Sequence, residues 1–135
     1  MQSFGDALSE LERMLKAMAE MSKRTDATWK REFIEMRRRL QVQLSLVATT
    51  AQECDRIKGD PKALGQLRES MARMRSNLAL HQANWPAVAI DPTNFDYTES
   101  VRKARETNWA FVELARQIIA DVRRGPAPMV AVLDN

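Results

Sequence analysis

The chain has 135 residues, about the length of one domain. Its 44% hydrophobic and 29% charged residues describe a globular composition and exclude a disordered one. The net charge of +3 is too mild for a dedicated nucleic-acid domain, and a lone Cys54 excludes an intrachain disulfide and a Cys-rich metal site.

Gly and Pro are absent from 6–58, 66–85 and 93–124. An all-β domain needs turn punctuation about every 8–12 residues, so sandwiches and barrels are excluded. No β-branched runs alternate with the breaker-free stretches, which argues against an α/β fold. The remaining class is all-α. The sequence predicts an antiparallel bundle of four helices, or three if the first two are continuous.

The first helix is predicted from Ser3 or Asp6 to Met21. Phe4, Leu8, Leu11, Leu15 and Met18 recur at steps of four and three, which makes one apolar stripe. Residues 22–28 offer nothing to bury and predict a break, with Thr25 or Asp26 as the cap of the next helix. That helix is predicted over 26–58. Its stripe is Trp29, Phe33, Met36, Leu40, Leu44, Val47, Ala51 and Cys54. Gly59, Asp60 and Pro61 then read as a C′ glycine, an N-cap and an N1 proline. They write a tight turn between antiparallel neighbours.

The third helix has a heptad seam of Leu64, Leu67, Met71, Met74, Leu78, His81 and Trp85, and Pro86 stops it. Val88, Ile90 and Phe95 suggest that the loop over 86–95 packs across the bundle end. The last helix is predicted over 96–124, with Asp96 and Glu99 as a capping box. Its apolar face runs from Tyr97 through Val101, Ala104, Asn108, Phe111, Ala115 and Ile118 to Val122. Residues 1–124 are expected to form one domain, and 125–135 an extended or disordered tail.

Asp6, Glu10 and Glu12 replace the basic start of a signal peptide, and the longest apolar runs are about five residues, far short of a membrane span. A cytoplasmic protein with no membrane contact is expected.

His81 is the only histidine and sits in an apolar seam. In histidine phosphotransfer domains, which are also helical bundles, the phosphoacceptor is exposed and a Lys and a Gly follow it closely. Here Gln82, Ala83, Asn84 and Trp85 follow, and a seam position buries the ring. Asn108, central on an apolar face, needs partners and can set the specificity of helix packing.

Lys23, Arg24, Lys30, Arg31, Arg37, Arg38 and Arg39 form a basic stretch that Glu32 and Glu35 interrupt. It reads as a solvated face, then as a patch for an acidic partner, and only then as a nucleic-acid surface. No helix-turn-helix spacing or aromatic-basic platform accompanies it. Val42, Leu46 and Ile57 make a second apolar side on this helix, flanked by Arg31, Arg38 and Arg39. That side predicts contact with a protein partner or a second copy of the chain. The eight methionines fit core gap-filling, or a groove for a partner helix.

No nucleophile motif, Gly-rich phosphate loop, Glu-x-x-His di-iron pattern or metal-ligand cluster occurs, so no enzyme, cofactor or metal is expected. The predicted function is non-enzymatic protein binding by an adaptor, regulator or chaperone. The general appearance, small and dominated by long helices, is similar to bacterial flagellar and secretion chaperones, although no motif residue carries that likeness. Phosphotransfer on His81 and weak nucleic-acid binding are the alternatives.

Overall fold

A computed structural model describes residues 3–21, 23–24 and 26–124 of the chain. The predicted tail over 125–135, Thr25 and the terminating Gly125 lie outside the described residues. The described chain is all-α.

Helix α1 is Phe4–Met21, and Ser3 Oγ caps it by accepting from the Asp6 amide at 3.1 Å. The predicted break follows, and α2 begins at Trp29. The capping there differs from expectation. Asp26 turns its carboxylate to Arg24 and Thr28, and Thr28 holds the cap position without a side-chain cap bond.

Helix α2 spans Trp29–Glu53 and does not continue to Lys58 as predicted. Cys54 adopts an extended conformation (ψ 112°), and a separate turn of helix, α3, covers Asp55–Lys58. The reason is burial. A straight helix would carry Ile57 onto the outer flank; the break re-aims it into the core, where it is 1% exposed. Full burial of such a side chain stabilises by about 1.5–3 kcal/mol.

Helix α4, Pro61–Asn84, starts as read. Asp60 accepts from the Ala63 amide at 3.1 Å, and Pro61 occupies the first turn. Gly59 ends α3 at φ −76°, so the turn needs no left-handed residue there, contrary to the C′ reading. After Trp85, residues Ala87–Ala89 form a short 3-10 turn. Ala87 and Ile90 are buried, but Val88 and Phe95 are 79% and 75% exposed. The loop therefore packs through only part of its apolar set. Helix α5 is Phe95–Arg124. Its cap is Asn94, whose Oδ1 accepts from the Tyr97 amide at 3.1 Å, and not Asp96.

The helices alternate in direction. Gln43 Nε2 donates to the Ala7 carbonyl at 2.8 Å between α2 and α1. Arg75 reaches Ser45 and Arg37 reaches the Trp85 carbonyl, so register falls along α4 as it rises along α2. These two helices are antiparallel as predicted, but the most extensive packing lies within the α1–α2 and α4–α5 pairs. Arg116 joins α5 to α1 through Glu12 at 2.6 Å and Ser9 at 3.0 Å.

Two apolar clusters result. The larger is mostly aliphatic and includes Leu8, Leu11, Leu40, Leu44, Val47, Met74, Phe111 and Ala115. The smaller sits at the loop end and contains Trp29, Phe33, Ala87, Ile90 and Tyr97. Met14, Met71 and Met74 are buried, and Met18, Met21 and Met36 pack as partly buried neighbours, so the described methionines take part in core packing.

Candidate functional site

Between the aliphatic core and the aromatic end lies a cavity of about 440 Å³. All four long helices contribute to its wall. Helix α1 supplies Leu15, Lys16, Met18, Ala19 and Glu20; α2 supplies Phe33, Arg37 and Leu40. Helix α4 adds Leu78, His81 and Gln82, and α5 adds Tyr97, Val101, Ala104, Arg105, Asn108 and Trp109. Small side chains explain the space: Ala19, Val101 and Ala104 stand where larger residues would close it.

Arg37 enters this wall because Phe33, Arg37, Leu40 and Leu44 follow steps of four, three and four on α2. Its guanidinium carbon lies 4.8 Å from the Phe33 ring centroid. Nη1 donates to the Trp85 carbonyl at 2.9 Å, and Nη2 is buried with no hydrogen-bond partner. No carboxylate forms an ion pair with it among the described residues. Burial lowers its pKa from the usual arginine value.

His81 is 9% exposed. Its Nδ1 lies 2.5 Å from Ser100 Oγ, and its ring is 5.9 Å from that of Tyr97. Burial, followed by the charge of Arg37, lowers its pKa to about 4, so the ring is neutral at physiological pH. Burial raises the pKa of Tyr97. Asn108 is half-buried, and its Oδ1 also lacks a hydrogen-bond partner. The predicted specificity candidates His81 and Asn108 therefore meet at one cavity.

The His81–Ser100 pair invites comparison with a nucleophile and its base. A hydrolytic dyad needs a neighbour that stabilises the imidazolium. Arg37 acts in the opposite sense, and a base with a pKa near 4 is weak at neutral pH. Burial also withholds His81 from a protein phosphodonor. No group of three or more His, Cys, Asp or Glu side chains suited to a metal occurs among the described residues.

The rim is basic. Lys16, Arg37 and Arg105 face a single carboxylate, Glu20, and Glu20 already pairs with Lys23 at 3.3 Å. The chemistry on offer is a mostly apolar wall, one desolvated cation and a few polar atoms, which suits binding.

The surface predicted from Val42, Leu46 and Ile57 does not assemble. Val42 is 69% exposed and Leu46 half-buried, but Ile57 is in the core because α2 breaks at Cys54. Arg31 and Arg39 are exposed beside Ile34 and Met36, and Arg38 pairs with Glu35 at 2.7 Å. Arg24 pairs with Asp26 and Glu32, which dilutes the basic stretch as a phosphate-binding face. No described helix is long and apolar enough to cross a membrane.

Sequence reasoning missed Arg37 as a site residue and did not anticipate Lys16, Val101, Arg105 or Trp109 as cavity residues. The available signal was Arg37 at stripe spacing between Phe33 and Leu40. No protein-family model matches the chain, and no curated protein or solved structure is significantly similar to it.

Proposed function

We propose that this chain is a non-enzymatic binding protein and that its site is the cavity among α1, α2, α4 and α5. The ligand is a small amphipathic organic molecule. The single observation that carries the reading is the cavity wall itself. A volume of about 440 Å³ falls in the range of small-molecule sites, and a few polar side chains, among them Arg37, His81, Gln82 and Asn108, stand in its mostly apolar lining.

Amide NMR of the full chain with naphthalene-ring probes, charged and neutral, tests the proposal. Shifts centred on Leu15, Met18, Leu78, Val101 and Trp109 are expected. Val101→Trp, which fills the cavity, should abolish them. Shifts confined to other surfaces, or none with any probe, contradict the proposal.

A second reading keeps a protein partner, or a second copy, on the outer flank of α2. Exposed Val42 and Ile34, beside Arg31, Arg38 and Arg39, favour it. Sedimentation of the wild type and Val42→Glu measures its self-association form; a monomer in both removes that form.

A further inference from the structure

On the reading that the cavity is the binding site, the charges at its mouth narrow the ligand class. We infer that the ligand is an anionic amphiphile, with its apolar body inside the cavity and a carboxylate or phosphate head held at the mouth by Lys16 and Arg105.

The first argument is where the cavity opens. Its exposed wall residues are Lys16, Glu20 and Arg105, and all three stand on α1 or α5; on α2 and α4 the wall is buried or half-buried. The mouth therefore lies along the α1–α5 seam. Lys16, Ala19 and Glu20 share one edge of α1 at i, i+3 and i+4, and Arg105, Asn108 and Trp109 repeat that spacing on α5.

The second argument is charge. Neither Lys16 nor Arg105 forms an ion pair among the described residues, whereas Glu20 pairs with Lys23. Half-buried Arg37 lies further along the wall, also without a carboxylate partner. Its Nη1 donates to the Trp85 carbonyl and its Nη2 is enclosed, so it adds to the positive field and offers the head no hydrogen bond.

The third argument is solvation. A charged head among Leu15, Leu40, Leu78 and Val101 would lose its hydration with nothing to replace it. At the mouth, the Lys16 ammonium and the Arg105 guanidinium supply donors and water supplies the rest. Flexible, exposed donors serve a carboxylate and a phosphate alike, so the shared chemistry is the anionic head.

Isothermal titration calorimetry with four naphthalene probes tests the inference apart from the reading beneath it. The anions are 1-naphthylacetate and 1-naphthyl phosphate; the controls are neutral 1-naphthylacetamide and cationic 1-naphthylmethylamine. At an ionic strength of about 0.01 M, at least one anion should bind about fivefold more tightly than the amide, and the amine more weakly than the amide. The tighter anion names the head. In about 1 M salt, where screening acts over about 3 Å, the four affinities should converge, a readout that needs no variant. Lys16→Glu combined with Arg105→Glu breaks no ion pair and should place the amide above both anions.

Equal affinity of both anions and the amide at low salt overturns the inference and leaves the cavity reading intact. So does an anion preference that survives in the charge-reversed chain. Failure of all four probes to bind overturns the cavity reading as well.

Discussion

At mid-bundle, Leu8, Leu11, Leu44, Val47 and Ala115 are each 0% exposed. Toward the loop end, the same helices surround a cavity, bury His81 and Tyr97 and half-bury Arg37 and Asn108. The mid-bundle layer is built mainly of aliphatic side chains in regular stripes. The cavity region replaces some of that volume with Ala19, Val101 and Ala104, and spends polar groups where apolar ones would pack. The first region supplies cohesion. The second gives up packing, as binding sites do when strain or unpaired polar groups are retained for a ligand.

Substitutions should separate the two regions. Leu44→Ala removes a fully enclosed side chain and should cost about 2–5 kcal/mol in chemical denaturation. Val101→Ala, beside existing space, should cost under about 1.5 kcal/mol. Equal costs would break the contrast.

The pH dependence sharpens it. His81 has a folded pKa near 4, below its ordinary value of 6.5. Above pH 6.5 both folded and unfolded chains hold it neutral, so this contribution is complete. Between pH 6.5 and 4 the unfolded chain binds the proton more readily, so stability falls as pH falls. Denaturation midpoints measured across that window should decline in the wild type and decline less in His81→Gln.

Asp60→Ala deletes the cap of α4 and should cost about 1 kcal/mol, a helix-end effect independent of the cavity. Arg37→Met keeps the apolar stem and removes the guanidinium. It should change stability by less than about 1 kcal/mol, whereas breaking a buried ion pair costs about 3–5. Arg102→Ala loses exposed pairs with Glu99 and Glu106 and should leave the denaturation midpoint nearly unchanged.

Much of the aliphatic region was legible in the sequence. Stripes at three- and four-residue steps identify α1, α2, α4 and α5, and Asp60–Pro61 marks the start of α4 correctly. The break at Cys54 was not legible, because no Gly or Pro stands there; it answers a tertiary demand to bury Ile57. Asn94 and Asp96 are both competent caps, and the path of the preceding loop selects Asn94. The candidate site was legible only in pieces. His81 and Asn108 stood out as polar residues on apolar faces. Arg37 was hidden inside a basic run that resembles a solvated face, and its burial depends on Phe33 and Trp85, the latter 48 residues away in the chain.

The most direct test of the account is the map of amide shifts when 1-naphthylacetate is added to the wild-type chain. The account predicts shifts centred on Arg37, Leu78, Val101, Asn108 and Trp109, with the mid-bundle residues Leu8 and Val47 unmoved. Shifts centred on Arg31, Arg38 and Val42, or on no contiguous region, would contradict it.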